Sequence, residues 1–301
     1  MSAPDPAKIA RFREKLREEW TDADTVAAWR KWHIQLSSFT RGATEAVLEA
    51  ARLRPGMRVL DLASGVGDPA IPIAEKVGAA GHVTGSDVGR GMIDFAAQLA
   101  RKKGLANLDF RVLDVEALAF PDNSFDVVSS RFGVMFFTDQ IKAFRECRRV
   151  LRPGGRVAFV VWGSHEQPFL GATIGVLMKY VEAPPPDPDA PHAFMFGERG
   201  LLASKLKGAG FADAREEVRT VKGHWGGTPE EYWQQFTEVA APFRPLVAKL
   251  TPEARAKVES EVFANLQKRA DGAGFSMPLE IVVGTGTKQS TEWSSTASTS
   301  P

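Results

Sequence analysis

The stretch from Arg58 to Trp162 alternates short apolar segments with amphipathic ones, and this alternation constrains the fold more than any other feature of the chain. Strands separated by helices pair in parallel, and strands that are apolar throughout are covered on both faces. Right-handed crossovers then wind helices onto both sides. The sequence predicts an α/β fold with a doubly wound, mostly parallel sheet. Its first five strands are expected at 58–63, 82–88, 108–114, 125–132 and 156–162.

The rest of the chain forms additions to this sheet. Three amphipathic helical patterns precede it, and two further strands, at 214–222 and 277–286, follow it. Proline-rich sequence cannot continue a helix, and a Ser/Thr-rich end has little to bury. The predicted units are an N-terminal helical cap (1–54), an α/β main domain (55–287) with a Pro-rich excursion (183–197) and a helical insert as substrate cover (228–272), and a disordered tail (288–301).

Composition excludes several kinds of function. Lys+Arg 38 against Asp+Glu 37 gives a net charge of +1, which argues against a nucleic-acid partner. One cysteine excludes an internal disulfide and a Cys-based zinc site, and no metal is predicted. The first residues are too charged for a secretory signal, and no apolar run approaches the roughly 18 residues of a spanning helix. We therefore expect a cytoplasmic protein without stable membrane insertion; its sequence does not indicate an oligomeric state.

A glycine-rich turn follows the first strand. Gly65 and Gly67 stand where side chains would block a cofactor from the backbone, and Asp68 is expected to cap the next helix. Asp87 ends the second strand 87 − 67 = 20 residues later, where an acid can accept both hydroxyls of a ribose. The third strand ends at Asp114, which can accept an adenine amino group. These three strand ends predict a site for an adenosine moiety.

Several linked motifs occur in order: VLDLASGVGD, VTGSDV, DVEALAFPDNSFDVVSSRF and RVLRPGGRVAFVVWG. Together they resemble the class I S-adenosylmethionine-dependent methyltransferases, in particular their ubiquinone/menaquinone-biosynthesis-like small-molecule group. The resemblance is strong over Leu53–Gly163. It implies a Rossmann-like, seven-stranded sheet whose last strand is antiparallel and inserts beside the fifth.

The resemblance also implies roles for individual residues. It implies that Asp61, Gly65 and Gly67 hold the methionine end of S-adenosyl-L-methionine, and that Asp87 holds the ribose. Ala63 stands where the family often has its first loop glycine; because a methyl group is small, we expect cofactor binding to survive with a slightly shifted turn. The other implied contacts are with the adenine (Met92, Asp114 and Val115) and with the sulfonium and substrate entrance (Arg131 and Phe132).

The implied reaction is methyl transfer by in-line displacement to a small-molecule acceptor through an N, O, S or C nucleophile. Positioning supplies much of the rate in such a reaction, so a general base helps without being obligatory. Its candidates are His33, in a helix that can fold over the cofactor, and His165, just past the fifth strand. Aromatic side chains are candidates to enclose an apolar, aromatic or quinone-like substrate: Trp29, Trp32, Phe132 and Phe136.

Three alternatives compete with this interpretation. An NAD(P)-dependent oxidoreductase fits the same turn, but Tyr180 and Tyr232 are followed four residues on by Pro184 and Phe236, so no Tyr-x-x-x-Lys pair is present. A non-catalytic binder of the adenosyl cofactor would show affinity without turnover. A nucleic-acid methyltransferase is disfavoured by the charge balance and by the sequence after the fourth strand, which lacks an Asn/Asp-Pro-Pro-aromatic motif.

Overall fold

A computed structural model of the chain describes residues 5–183, 187 and 189–289. Its centre is one sheet in which seven long strands follow the order β3-β2-β1-β4-β5-β8-β6, and the short β7 pairs with β8. The strands are β1 (Arg58–Leu62), β2 (His82–Asp87), β3 (Leu108–Val112), β4 (Phe125–Arg131), β5 (Leu151–Trp162), β6 (Ala212–Trp225), β7 (Ala270–Asp271) and β8 (Gly274–Thr287).

Strand direction follows the expected pattern. β1 to β5 pair in parallel, whereas β8 lies between β5 and β6 and is antiparallel to both. The predicted fold class, including the reversed last strand, is confirmed. Three strands are longer than predicted. β5 begins at Leu151, which pairs with Phe125 of β4, and residues 154–155 bond to Lys288 past the end of β8. β6 and β8 are longer because they pair with each other from Ala212 to Trp225.

Helices cover both faces of the sheet and extend beyond it. Those before and within the parallel part are α1 (Pro6–Thr21), α2 (Ala23–Phe39), α3 (Arg41–Ala51), α4 (Ala70–Val77), α5 (Arg90–Lys102) and α6 (Gln140–Val150). Those after β5 are α7 (Pro168–Ala172), α8 (Ile174–Leu177), α9 (Leu201–Gly208), α10 (Pro229–Val239), α11 (Arg244–Ala248) and α12 (Pro252–Gln267). Residues 184–186 and 188 of the predicted excursion, and 290–301 of the predicted tail, lie outside the described residues.

The core is divided between the sheet and the helical additions. One face of the sheet packs on α6 and α9 through residues such as Phe144, Phe159 and Leu206, and the other packs on α3 and α4. A further apolar cluster joins α2, α7, α8, α10 and α12 to the outer ends of β6 and β8. Since the carboxyl ends of β1 to β5 share one edge, this second cluster borders the edge where a ligand site is expected.

Candidate active site

The first strand ends in a buried acid that holds the following loop. Asp61 is completely buried, and its carboxylate accepts the Ser129 hydroxyl of β4 at 2.7 Å and the Ser64 hydroxyl at 2.8 Å. Burial raises the pKa of Asp61 to about 7, although both hydroxyls oppose the shift. The carboxylate therefore fixes the loop from the sheet side. Its contact with the methionine end of a cofactor stays a prediction.

The loop carries three positive φ angles, +52° at Ala63, +53° at Gly65 and +103° at Gly67. A Cβ atom on Gly65 would meet nothing within 4 Å, so this side of the loop is open. A Cβ on Gly67 would lie 2.9 Å from Cδ1 of Ile71, so glycine permits the close contact with α4. Ala63 takes a left-handed conformation that costs free energy for any residue with a side chain. The open surface of the loop is therefore formed by the backbone atoms of Gly65.

Asp87 ends β2 and ties this loop to the next one. Its Oδ2 accepts the backbone N–H of Gly65 and its Oδ1 that of Gly89, both at 2.9 Å. Burial raises the pKa of Asp87, and these backbone donors oppose the shift. Each carboxylate oxygen keeps a further lone pair. Asp87 is therefore held rigidly and can still accept two ribose hydroxyls.

The residues implied for adenine lie after β2 and β3. Met92 is 1% exposed, in the first turn of α5. Asp114 accepts the backbone N–H of Glu116 at 2.9 Å and so closes the turn after β3. Val115, in that turn, packs on the sheet core. The adenine contacts of Met92, Asp114 and Val115 stay predictions. The bond from Glu116 to Asp114 holds in place the backbone of the turn that would make them.

Glu116 is a buried acid to which the sequence motifs assign no role, although it stands only two residues after Asp114. Its side chain is 4% exposed and accepts the Thr138 hydroxyl at 2.5 Å and the Asp139 backbone N–H at 3.0 Å. It also pairs with Arg13 of α1. The N-terminal helix is thereby fastened across the end of β3.

Arg131, at the end of β4, joins the loop to the helical cap. Its guanidinium lies 3.2 Å from Asp68 Oδ2 and donates to the Thr40 hydroxyl at 2.5 Å. Thr44 donates to the other carboxylate oxygen of Asp68 at 2.9 Å. The expectation that Asp68 caps α4 is wrong: Pro69 holds the cap position, and no side chain caps the helix. A half-buried guanidinium is the stronger partner for this carboxylate.

Aromatic rings gather where α1, α2 and the segment after β4 meet. The Trp20 ring lies 5.8 Å from that of Trp29 and 5.6 Å from that of Phe136. Phe132 stacks on Trp162 of β5 at 4.1 Å, with a strained φ of +59°. The fold thus brings Trp29, Phe132 and Phe136 to one region. Trp20 and Trp162 also lie in this region. The sequence did not predict them as site residues, because aromatic residues at the ends of helices and strands usually belong to the hydrophobic core.

Trp32 and the two candidate histidines make other contacts. Trp32 is 7% exposed, and its indole N–H donates to Glu238 of α10 at 2.6 Å, inside the second apolar cluster. His33 packs edge-on against Phe95 of α5 at 5.0 Å. His165 is exposed past the end of β5. It is close enough to His192 to help burial lower the pKa of that imidazole.

The residues at this edge fit an adenosyl cofactor. Gly65 offers open backbone, and Asp87 offers unused lone pairs beside it. Within the described part of the chain, the buried Nε1 of Trp29 has no hydrogen-bond partner, which suits an acceptor atom on a bound ligand. The carbonyl oxygen of Trp20 lies 2.9 Å from the place of a Cβ on Gly89, so α1 ends directly over the turn that follows Asp87.

A parallel sheet with a reversed strand beside β5, an acid ending β2 and an open glycine turn after β1 defines the class I S-adenosylmethionine-dependent methyltransferases. The family model of the ubiE/COQ5 methyltransferase family matches residues 30–181. The chain belongs to this family. The predicted family, enzyme class and cofactor are confirmed, and the nicotinamide alternative is set aside.

Curated relatives carry the same family name. The chain is 41% identical over 111 residues to the ubiquinone/menaquinone biosynthesis C-methyltransferase UbiE of Shewanella sediminis, covering 36% of this chain and 44% of the relative. It is 44% identical over 130 residues to the UbiE of Stenotrophomonas maltophilia, covering 43% and 46%. The chain thus spans about half the length of the curated relatives it matches.

Solved structures share the fold at low sequence identity. The YcgJ protein of Bacillus subtilis superposes with a TM-score of 0.55 at 22% identity, covering 83% of this chain and 99% of that one. Phosphoethanolamine N-methyltransferase 2 of Haemonchus contortus, solved with S-adenosylhomocysteine, gives 0.57 at 21% identity, covering 92% and 60%. No helix in the described part of this chain is long and apolar enough to cross a membrane.

Proposed function

We propose that this protein transfers the methyl group of S-adenosylmethionine to a ring carbon of a small, planar, quinone-precursor-like acceptor. The observation that carries the proposal is the group of aromatic rings beside the glycine loop. Flat rings such as the stacked pair Phe132 and Trp162, and Trp29 and Phe136 around Trp20, suit a planar aromatic molecule better than a flexible polar one. The C-methyltransferase name of the relatives supports carbon as the nucleophile.

The glycine loop and the two strand ends beside it would hold the cofactor. Gly65 and Gly67 would face its methionine end, and Asp87 its ribose, with Met92 and Asp114 nearest the adenine. When bound, S-adenosylmethionine supplies an electrophilic methyl group on a sulfonium. Asp61 and Arg131 would act indirectly, because each spends its polar atoms on fixing the loop.

The acceptor side needs a proton acceptor as well as aromatic walls. A hydroquinone ring carbon becomes strongly nucleophilic when a neighbouring hydroxyl loses its proton, and the same ring carbon loses a proton after the new C–C bond forms. We assign this role to His165, which stands past β5 with His192 nearby. His33 is less suited, because its ring packs on Phe95 and its Nδ1 lies 2.8 Å from the Arg30 carbonyl.

The helical additions would cover the acceptor. The cap over 1–54 and the insert over 228–272 share one apolar cluster, in which Trp32 of α2 bonds to Glu238 of α10. A cover built from both would exclude water from the reacting atoms. A cytoplasmic location and the lack of a nucleic-acid partner also stay predictions from the sequence.

An acceptor panel tests the proposal. The purified protein is incubated with S-adenosylmethionine and naphthohydroquinone, catechol or phosphoethanolamine, which offer carbon, oxygen and nitrogen nucleophiles. Mass spectrometry should find S-adenosylhomocysteine and a ring-methylated product with naphthohydroquinone alone. Turnover confined to either of the other two acceptors would overturn carbon methylation, and cofactor binding without turnover on any acceptor would favour the non-catalytic binder.

Substitution of the histidine tests its role separately. His165→Ala should lower kcat about 100-fold or more and leave the KM for the cofactor unchanged, because a general base contributes roughly that much. His82→Ala is the matched control, since His82 starts β2 at the opposite edge of the sheet and pairs with Asp109. Equal activity of the two variants would remove His165 from the reaction.

A further inference from the structure

A second cleft lies at the edge of the sheet opposite the candidate active site. It has a volume of about 170 Å³ and is lined by Arg52, Arg156, Asp213, Arg215, Thr285 and Thr287, among others. Strand register brings these residues together, because Arg156 and Ala212 both pair with Thr287, and Arg215 pairs with Thr285. Arg52 arrives from the end of α3. The cleft is therefore formed by the first half of β5, the first part of β6 and the last part of β8.

Three arginines in this cleft have no carboxylate partner within the described ranges. The acids nearby are already engaged. Glu49 and Glu217 pair with Arg219 at 2.7 and 2.8 Å. Glu216 accepts backbone N–H groups at the start of α9, and Asp213 accepts the Thr287 hydroxyl at 3.3 Å. Arg52, Arg156 and Arg215 thus outnumber the single carboxylate that lines this cavity, Asp213, and leave it with an excess of positive charge.

Their mutual proximity is itself unfavourable without an anion. Arg156 is half-buried, and its Nη1 donates to the Ala50 carbonyl at 3.1 Å. Burial, Arg52 and Arg215 together lower the pKa of Arg156. Arg52 ends α3 in the left-handed conformation, with φ +49°, where glycine is the usual residue. Positive side chains that are held together despite their repulsion are typical of a site that binds an anion.

The cleft continues along the sheet. A second depression of about 150 Å³ shares Arg52, Arg156, Arg215 and Thr285, and adds Arg219 together with three glutamates, Glu49, Glu216 and Glu217. Among the residues that the structure describes, the buried Nε of Arg219 has no hydrogen-bond partner. The guanidinium forks supply only donors, and the Thr285 hydroxyl can add one more, which suits a ligand with several oxygens in a tetrahedral arrangement.

We propose that this cleft binds a phosphate group, either free or carried on a soluble phosphate ester or a phospholipid headgroup. Arg156 and Arg215 would contact the phosphoryl oxygens in fork geometry, Arg52 would close the cleft from α3, and Thr285 would donate from β8. The site lies on the far edge from Asp87 and the glycine loop. Its occupancy therefore does not depend on the methyl acceptor or on the proposed reaction.

Calorimetric titration of the full chain with inorganic phosphate tests this site, with chloride at matched ionic strength as the comparison. Arg156→Gln and Arg215→Gln should each weaken phosphate binding about tenfold to a hundredfold, as expected for the loss of a charged hydrogen-bonding partner. Arg215 is exposed, so its variant remains informative if Arg156→Gln fails to fold. Arg54→Gln is the matched control, because it removes one exposed positive charge two residues from Arg52.

The same proteins distinguish the source of the phosphate. Sedimentation with phosphatidylglycerol vesicles, compared with phosphatidylcholine vesicles, reports on a lipid headgroup. Arginine-dependent binding to either inorganic phosphate or phosphatidylglycerol supports the site and identifies the carrier. Binding that chloride reproduces, or that Arg54→Gln weakens as much as Arg215→Gln, would overturn it, as would no binding to either probe. Failure of methyl transfer would leave these outcomes unchanged.

Discussion

At the scale of single residues, the left-handed Ala63 is the local exception in the cofactor loop. Its φ is +52°, where a methyl group clashes with its own backbone and glycine does not. A Cβ on Gly133 would lie 2.5 Å from the Ala63 Cβ, so the two positions also limit each other. The alanine therefore costs stability locally and requires glycine at position 133.

Ala63→Gly should raise the free energy of unfolding by about 0.5–1 kcal/mol, because relief of the left-handed conformation exceeds the added entropy of the unfolded chain. Urea denaturation measures the change. Ala119→Gly, at an exposed loop position without a positive φ, serves as the control and should lower stability instead. A loss of stability in both variants would mean that Ala63 is not strained.

The buried acid Asp61 predicts a pH dependence of stability. Its pKa rises from 3.8 to about 7 on folding, so the native state disfavours the ionised form. Below the unfolded value the acid is protonated in both states and carries no penalty. The penalty grows as pH rises towards the folded value and is complete above it.

Asp61→Asn removes this ionisation and keeps a polar side chain. Its stability relative to the wild type should increase by about 1–3 kcal/mol between about pH 5 and about pH 8. Chemical denaturation across this range gives the difference. Asp94→Asn, at an exposed site on α5, is the matched control for the loss of one carboxylate. A stability difference for Asp61→Asn that does not change with pH would mean that burial does not raise the pKa of Asp61.

At the scale of elements, the first helix is held by few contacts. α1 has no buried residue, and its ion pairs with the described residues are Arg13 to Glu116, Lys8 to Asp187 and Asp189, and Arg11 to Asp187. Trp20 adds ring contacts at its end. A helix fastened this way can open without unfolding the sheet beneath it. It lies over the turn that follows Asp87, so its opening would expose the cofactor site.

Arg13→Gln should therefore increase hydrogen exchange across α1 several-fold and leave α2 and the sheet protected. The buried Glu116 loses its nearest cation in this variant but keeps Lys142 at 3.9 Å and its bonds from Thr138 and Asp139. Arg17→Gln, on the exposed side of the same helix, is the control. Exchange that rises equally in α1 and α2, or in neither, would show that the Arg13–Glu116 pair does not hold α1 independently.

At the scale of the whole molecule, the helical additions and the sheet form one folded unit. The outer ends of β6 and β8 leave the parallel sheet and carry Trp225 and Phe275 into the cluster of α2, α10 and α12. Tyr232 of α10 packs edge-on against both rings, at 5.2 and 5.3 Å. Two strands thus belong to both cores, which couples their stability.

Phe275→Ala should lower the free energy of unfolding by about 3–5 kcal/mol, as expected for a buried phenyl ring. Because the cores share strands, circular dichroism and tryptophan fluorescence should report one coincident transition. Phe12→Ala, on the partly exposed α1, should cost much less. Two separated transitions in the variant would show that the additions fold independently.

The sequence by itself determined the parallel part of the sheet and the acids at the strand ends. These follow from local alternation and from motifs confined to the ends of β1, β2 and β3. The reversed last strand followed only from the family resemblance. Strand limits were predicted less well at β5, β6 and β8, because their extra length depends on pairing with residues that are distant in sequence.

Only the tertiary structure decided which side chains partner one another across the chain. Arg131 pairs with Asp68 instead of leaving it to cap α4, Glu116 holds α1, and Trp32 belongs to a core rather than to an open pocket. The arginine cleft likewise exists only through the register of β5, β6 and β8. In each case the partners are far apart in sequence, and packing rather than local pattern brings their polar atoms within bonding distance.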